Sequence, residues 1–180
     1  MRKFLTLAIC AAALLFAGCD DSADIKETPS TAQASPVSKN IPNFTAKTIT
    51  GETVTNEIFA AKKITVVNIW GTFCPPCIAE MPELGEMARA LPTDAQLIGF
   101  VCDTTEDSPQ QIQKAIQITQ ESGADFVNIV PDEQLLAFME NVEAVPTTIF
   151  VNSKGEVVGR AVIGADVEAY KDELEKLLKD

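Results

Sequence analysis

The hydrophobic and polar positions along the chain predict strands that alternate with amphipathic helices. Residues 44–55 (FTAKTITGETVT) form two short runs around a Thr-Gly pair, which is typical of a β-hairpin. The unbroken β-branched and aromatic run 64–70 predicts a strand buried on both faces, and 96–102 predicts a second one. Between these strands, apolar residues recur at helical spacing over 77–91, which predicts an amphipathic helix ended by a proline.

The second half of the chain continues this alternation and closes with a hairpin and a helix. The pattern predicts a helix over 108–123, a strand over 126–130, a helix over 133–141, a hairpin of 147–151 and 157–163, and a helix from Asp166. Turn-forming residues at 152–155 (NSKG) join the two hairpin strands, which are therefore expected to be antiparallel. This order of elements predicts a three-layer α/β domain with a mixed central sheet.

The first residues of the chain have the pattern of an export signal. Arg2 and Lys3 give a positive start, and the uncharged residues 4–17 follow them. This apolar stretch is shorter than the roughly 20 residues that a helix needs to span a bilayer. We therefore interpret residues 1–18 as a signal peptide that is removed on export.

The residues after this signal predict a lipid anchor and a tether. Residues 15–19 (LFAGC) resemble the bacterial lipoprotein cleavage box, so we expect cleavage before Cys19 and lipid on its sulfur. Residues 19–40 are rich in Ser, Thr, Ala, Pro and acidic side chains, which cannot bury enough apolar surface to order themselves. The chain is thus expected to hold a lipidated, flexible tether at 19–40 and a folded domain at 41–180.

Composition narrows the chemistry that this domain can perform. The 180 residues are 46% hydrophobic and 22% charged, which is a globular balance. A formal charge of −12 without a basic patch argues against nucleic acid as a partner. The sequence contains no histidine, which excludes Ser-His and Cys-His catalysis and imidazole metal sites. Chemistry is therefore left to cysteines, carboxylates or the backbone.

The five cysteines sort by their positions. Cys10 lies in the signal, Cys19 is the predicted lipidation site, Cys74 and Cys77 form a CxxC, and Cys102 stands alone. Three thiols in the domain are too few for a disulfide scaffold or a four-thiolate zinc site. The CxxC is either a redox pair or half of a metal site, and the lack of His and of a second CxxC disfavours the metal. We expect no metal and no cofactor.

The position of the CxxC assigns different roles to its two thiols. Cys74 would lie at a helix N-terminus, where free amides and the helix dipole favour its thiolate, so we expect it to be the nucleophile. Cys77 is one turn further in and is expected to resolve the mixed disulfide. Glu80 follows at helical spacing and is either the group that handles the proton of Cys77 or a solvated surface residue. Cys102 is expected either near the dithiol or as a buried inert cysteine.

An ordered set of motifs carries a family resemblance. A strand ending in Trp70, then 71–77 (GTFCPPC) opening a helix, then 145–147 (VPT) before a strand, is similar to a thioredoxin fold. The set more narrowly resembles the TlpA/ResA-like family of membrane-anchored thiol-disulfide oxidoreductases. The resemblance covers about 41–180 and implies a thioredoxin-like fold with a mixed central sheet, an N-terminal β-hairpin and a central helical insertion at 108–142.

The resemblance also implies site residues. Pro146 would be a cis proline whose preceding residue, Val145, leaves its backbone free to pair with a substrate strand. Glu80 matches the glutamate of the family's CxxCxxExP motif, and Asn68 replaces a buried acid that thioredoxins commonly carry. The expected substrate-binding residues are Trp70, Pro75, Pro76, Val145 and Pro146, although an aromatic residue such as Trp70 at a strand end also suits a core.

The sequence departs from the family at two positions, which leaves the substrate open. Phe73 stands where the family usually has Trp before the first cysteine, and Cys102 is an additional thiol. We expect an extracytoplasmic, monomeric reductase that is anchored through Cys19, takes electrons from a membrane redox partner and reduces exported proteins, for example apocytochrome c or repair enzymes. A disulfide-forming oxidase and a thiolate metal or haem-delivery module are the alternatives.

Overall fold

The computed structural model describes residues 38–179. The predicted signal peptide, Cys19 and most of the predicted tether lie outside the described residues. The strands are β1 (Thr45–Thr48), β2 (Thr53–Thr55), β3 (Ile64–Trp70), β4 (Ala95–Val101), β5 (Val127–Val130), β6 (Thr147–Asn152) and β7 (Val157–Ile163). The helices are α1 (Glu57–Ala60), α2 (Pro75–Ala90), α3 (Pro109–Glu121), α4 (Glu133–Met139) and α5 (Val167–Lys179).

The strands form one mixed sheet of seven strands in the order β2-β1-β5-β4-β3-β6-β7. The strands β3, β4 and β5 are parallel, so their carboxyl ends lie at the same edge of the sheet. The strand β6 is antiparallel to β3, with Ile69 opposite Thr147, so β6 begins at that edge, and β7 ends there. This edge is called the carboxyl edge below, and α2 starts from it.

Helices cover both faces of the sheet, as the three-layer prediction requires. Side chains of α2, α3 and α5 pack with alternate residues of β3 such as Val66 and Trp70. Side chains of α1 and α4 pack with the intervening residues, Val67 and Ile69. All seven residues of β3 are buried, which explains why its sequence is almost continuously apolar rather than alternating.

The fold agrees with the predicted elements, with three differences at its margins. The single-turn helix α1 was not predicted, because four residues are too few to show a helical period. Lys39 and Asn40, placed in the tether by the sequence, pair with the β6–β7 turn and belong to the domain. The strand β4 ends at Val101, so Cys102, predicted as the last residue of this strand, lies directly after it.

Within the described part of the chain, none of the helices has the length and apolar character needed to cross a membrane.

A tight contact between β3, β4 and β5 lies behind the carboxyl edge. The Trp70 indole N–H donates to Asn128 Oδ1 at 2.8 Å, and both side chains are buried. A Cβ added at Gly99 would overlap Asn128 Oδ1 and lie 2.9 Å from Trp70 Nε1. The glycine on β4 therefore leaves room for the hydrogen bond between its two neighbouring strands.

We expect Gly99→Ala to lower the free energy of unfolding by about 1–3 kcal/mol, the usual cost of overpacking a core. Urea unfolding followed by the fluorescence of Trp70 measures this cost. In an Asn128→Ala background the obstructing oxygen is gone, so the same substitution should cost clearly less. An equal cost in both backgrounds would show that Asn128 is not what limits this position.

Candidate active site

Cys74 and Cys77 form a disulfide at the first turn of α2. Cys74 is the N-cap of this helix, and its Sγ accepts the Cys77 N–H at 3.3 Å. Pro75 and Pro76 occupy the first two helical positions and have no N–H. One amide donor of the first turn therefore reaches the sulfur, and the helix dipole adds to its effect.

Hydrogen bonds to Asp103, in the loop after β4, hold the loop between β3 and α2. The Thr72 N–H and hydroxyl donate to the two carboxylate oxygens of Asp103, at 2.9 and 2.6 Å. The Cys74 N–H donates to the Gly71 carbonyl at 3.1 Å, which closes a turn before the helix. The backbone that leads into Cys74 is thus held by hydrogen bonds at Thr72 and at Cys74 itself.

The two sulfur-bearing residues are buried below an exposed apolar rim. Cys74 is 4% exposed and Cys77 is 0% exposed. Phe73 beside them is 63% exposed, and Pro75 and Pro76 are exposed as well. The order of exposure agrees with Cys74 as the first thiol to react, although the difference is small.

The segment before β6 lies next to the disulfide. The Val145–Pro146 peptide bond is cis, as the resemblance implied. The Val145 carbonyl oxygen is 3.5 Å from Cys74 Sγ. Because Cys74 is in a disulfide and has no S–H, this contact is a close approach and not a hydrogen bond. Gly164, just after β7, donates its N–H to the Pro146 carbonyl at 2.8 Å and so supports the segment.

Glu80 is buried, so the surface alternative for this residue is wrong. Its side chain is 6% exposed and lies between α2, the sheet and α5. Asn68 on β3 donates its Nδ2 to Glu80 Oε1 at 2.9 Å, and the Tyr170 hydroxyl on α5 lies 3.0 Å from Oε2. The helical spacing placed Glu80 on the inward face with Cys77, and the packing of α5 then covered it.

Burial raises the pKa of Glu80 from 4.5 to about 7. Desolvation of the carboxylate is the largest cause, and the neighbouring charge of Glu83 adds a smaller upward shift. The hydrogen bonds from Asn68 and Tyr170 act in the opposite direction, because they stabilise the carboxylate. The result is a carboxyl group that can accept and release a proton near neutral pH.

Asn68 supplies a neutral amide below this carboxyl group. Its side chain is fully buried and donates to Thr148 Oγ1 at 3.1 Å as well as to Glu80. Its Oδ1 has no hydrogen-bond partner. An acid at this position would place a second negative charge beside Glu80, and the amide avoids that repulsion.

Trp70 does not lie on the surface that a substrate can reach. It is 0% exposed and belongs to the hydrophobic cluster that also contains Cys74 and Cys77. Its assignment to the substrate-binding surface is therefore wrong for direct contact, because the strand end is covered by packing. Trp70 supports the disulfide from below.

Cys102 packs with the cluster on the opposite face of the sheet from the disulfide. Cys102 follows β4 directly and continues its alternation, so Val101 packs with the disulfide cluster and Cys102 packs with the opposite one. Desolvation and, to a smaller extent, the charge of the adjacent Asp103 raise the pKa of the Cys102 thiol to about 11. These observations favour the inert alternative for this cysteine.

The carboxyl edge around the disulfide is acidic. The loops 102–108, 131–132 and 164–166 and the segment 140–146 meet there because of the strand directions described above. They carry several acids and no Lys or Arg: Asp103, Glu106, Asp107, Asp132, Glu140, Glu143 and Asp166. The edge therefore favours approach by a neutral or cationic polypeptide over an anionic one.

Among residues 38–179, no three His, Cys, Asp or Glu side chains come together in a way that could hold a metal ion. Cys74, Cys77 and Cys102 in particular do not converge, since Cys102 faces the other layer.

This fold and this disulfide define the class of protein as a thiol-disulfide oxidoreductase with a thioredoxin-like fold. Residues 37–160 match the model of the AhpC/TSA family, and the chain belongs to this family. A DsbE homolog of Paracoccus denitrificans, named a thiol:disulfide interchange protein, is 27% identical over 91% of this chain and 89% of its own length. Sporulation thiol-disulfide oxidoreductase A of Bacillus subtilis is 27% identical over 72% of this chain and 76% of its own.

Solved structures show the same fold. StoA from Bacillus subtilis superposes with a TM-score of 0.60 at 23% identity, covering 76% of this chain and 99% of that one. Mycobacterium tuberculosis DsbF, solved in mixed oxidised and reduced forms, gives a TM-score of 0.60 at 21% identity, covering 74% and 94%. The central sheet, the hairpin and the helices thus match known thioredoxin-fold proteins.

Sequence reasoning missed Tyr170 as a member of the site. The residue belongs to the apolar stripe of α5, and by spacing alone it was a core residue. A tyrosine on a buried stripe needs a partner for its hydroxyl, and that need was the available signal. Its partner, Glu80, lies 90 positions away in sequence, so only the packing of α5 on α2 brings the two together.

The raised pKa of Glu80 predicts a specific loss of stability with pH. The folded protein binds this proton more tightly than the unfolded chain, whose Glu80 has the ordinary value of 4.5. The stabilising contribution is therefore complete below about pH 4.5 and is lost as the pH rises through about 7. Urea unfolding of the oxidised protein and of Glu80→Gln should show a difference in stability that falls across this window and then levels.

The control is Glu83→Gln, which removes a carboxylate that is 50% exposed on the same helix. This variant should keep the fall, with its upper end at a slightly lower pH because the Glu83 charge that raises the pKa of Glu80 is gone. If the stability of the unsubstituted protein and that of Glu80→Gln change with pH in parallel, Glu80 does not have a raised pKa in the folded protein.

Proposed function

We propose that this protein is an extracytoplasmic, membrane-anchored reductase of disulfides in exported proteins. One observation carries the proposal: the Cys74–Cys77 pair lies at a helix N-terminus, beside the free Val145 carbonyl and one helical turn before the buried Glu80. In this proposal Cys74 is the nucleophile, the Val145 carbonyl docks the substrate backbone, and Glu80 is the proton acceptor. The names of the relatives support the same chemistry.

The reaction follows from these positions. In the reduced protein, the Cys74 thiolate attacks a substrate disulfide, and a bond forms between Cys74 Sγ and one substrate sulfur while the other leaves as a thiolate. The Cys77 thiol then gives its proton to the Glu80 carboxylate and attacks Cys74 Sγ. The Cys74–Cys77 disulfide forms, the second substrate thiolate leaves and takes up a proton, and the substrate has gained two electrons.

The amide donors at Cys74 support the reducing direction. A strongly oxidising pair requires a strongly stabilised thiolate in the reduced protein. Here Pro75 and Pro76 remove two amide donors from the first turn, and the Cys77 N–H remains. We therefore propose the reducing direction, with one amide donor and the helix dipole left to stabilise the Cys74 thiolate.

The substrate surface is proposed to consist of the exposed groups around the disulfide. Phe73, Pro75, Pro76 and Ile163 supply apolar area, and the partly buried Val145 supplies its backbone. An extended segment that pairs with Val145 would place its disulfide over Cys74. Apocytochrome c and oxidised repair enzymes are the proposed substrates, and the protein is proposed to act as a monomer.

The location is proposed from the N-terminal sequence. Lipid on Cys19 would hold the domain at the membrane, and a flexible tether of this length reaches roughly 25 Å from the lipid surface. That reach suits electron transfer from a membrane redox partner to the Cys74–Cys77 disulfide.

The resolving role of Cys77 predicts that Cys77→Ser traps substrates on Cys74. Incubation of this variant with a peptide disulfide should yield a stable mixed disulfide, which mass spectrometry locates at Cys74. The matched control Cys102→Ser should turn over like the unsubstituted protein, because Cys102 faces the other layer. A stable adduct on Cys102, or none on Cys74, would contradict the proposed mechanism.

The direction is tested separately by the reduction potential of the Cys74–Cys77 pair. A reductase should lie near the value of thioredoxin, about −270 mV, and an oxidase near that of DsbA, about −120 mV. Equilibration with glutathione followed by thiol alkylation gives the potential. A value close to that of DsbA would replace the reductase with the oxidase alternative.

The anchor predicts that Cys19→Ser abolishes lipid incorporation and membrane retention. Fractionation and metabolic labelling with palmitate measure both in cells that process lipoproteins. The Cys10→Ser variant is the control, since Cys10 lies within the signal and should not affect either result. A Cys19→Ser protein that is processed and stays in the membrane would refute the anchor.

A further inference from the structure

The Tyr170 hydroxyl lies where the buried carboxyl group and the substrate-facing segment meet. It is 3.0 Å from Glu80 Oε2 and 2.7 Å from the Gly164 carbonyl oxygen, and it accepts the Asp166 N–H at 3.3 Å. The Tyr170 side chain is 0% exposed. One hydroxyl proton cannot serve two acceptors fully, so the charge of Glu80 decides which acceptor receives it.

Gly164 carries this connection to the disulfide. Its carbonyl faces Tyr170, and its N–H donates to the Pro146 carbonyl at 2.8 Å. The residue before Pro146 is Val145, whose carbonyl approaches Cys74 Sγ. Three hydrogen bonds linked through the backbone of Gly164, together called the Tyr170 bridge, thus join Glu80, Tyr170, Gly164 and Pro146.

We propose that Tyr170 is a positioning residue that couples the ionisation of Glu80 to the Val145–Pro146 segment, where the substrate docks. With Glu80 ionised, the hydroxyl donates to the carboxylate, because hydrogen bonds to a charged acceptor are stronger. With Glu80 protonated, the carboxyl no longer attracts the hydroxyl proton, which turns to the Gly164 carbonyl. That bond fixes the position of the Gly164 backbone, whose N–H belongs to the preceding peptide group, and so strengthens its donation to Pro146. This inference rests on the proposed function.

Two further observations support the coupling. The pKa of Glu80, about 7, allows both charge states near neutrality. The groups that face the carboxyl from β3 and β6 are Asn68 and Thr148, which do not titrate. Glu83 on α2 is the charged neighbour that shifts its pKa, and Lys171 on α5 pairs with Glu83 at the surface.

The coupling predicts a pH-dependent affinity that Tyr170→Phe removes. The full-length protein is assayed with a blocked peptide that contains one disulfide and no other titratable side chain. In the unsubstituted protein, KM should rise by about threefold to tenfold as Glu80 ionises, the effect of one hydrogen bond. In Tyr170→Phe, KM should be independent of pH. The midpoint of the pH profile of kcat should rise by about one pH unit, because the Glu80 carboxylate has lost a hydrogen-bond donor.

Two variants separate this coupling from a structural role. Glu80→Gln should also make KM independent of pH, and adding Tyr170→Phe to it should leave KM independent of pH. Lys171→Gln, a surface change on the same helix, should keep the pH-dependent KM. If Tyr170→Phe retains the KM profile of the unsubstituted protein, apart from a displaced midpoint, the inference is overturned.

A measurement without substitution at Tyr170 covers the case in which Tyr170→Phe does not fold. The Gly164 amide resonance of the oxidised protein should shift with pH at the Glu80 midpoint, and this shift should be absent in Glu80→Gln. A Gly164 amide that does not titrate there would refute the bridge. Trapping on Cys74 in Cys77→Ser tests the proposed function independently, so its success together with a silent Gly164 would reject the bridge alone.

Discussion

The site depends on the complete burial of β3 at the centre of the sheet. The strand pairs with β4 on one side and β6 on the other, and helices cover both of its faces. The chain leaves β3 at the carboxyl edge of the sheet, and α2 begins there after a short loop. Cys74 becomes the N-cap of α2 for this reason, and the start of β6 brings Val145 to the same edge.

Four buried polar side chains form a connected cluster inside the disulfide layer. Asn68, Glu80, Thr148 and Tyr170 are buried together and joined by hydrogen bonds from β3, α2, β6 and α5. Such a cluster is costly to bury unless its members satisfy one another. The cluster includes Glu80, which lies one helical turn after Cys77 and is the proton acceptor of the proposed function.

The order of the elements and the dithiol were predictable from the sequence because both depend on local information. The β-branched run of β3, the helical spacing after Cys77 and the turn residues between β6 and β7 each specify their own conformation. The margins were less predictable. The helix α1 is too short to show a period, and the attachment of Lys39 and Asn40 depends on the distant β6–β7 turn.

The sequence by itself determined the fold class, the position of the redox pair at a helix start and the acidic character of the chain. It did not decide whether Glu80 is a surface residue or part of the site, nor whether Cys102 is reactive or inert. The burial of both residues depends on elements that are distant along the chain. The packing of α5 buried Glu80 against Tyr170, and the alternation of β4 turned Cys102 to the opposite layer. Packing also removed Trp70 from the accessible surface. Tertiary structure decided these points because burial determines both the accessibility of a side chain and the shift of its pKa. Burial exists only once the layers are assembled.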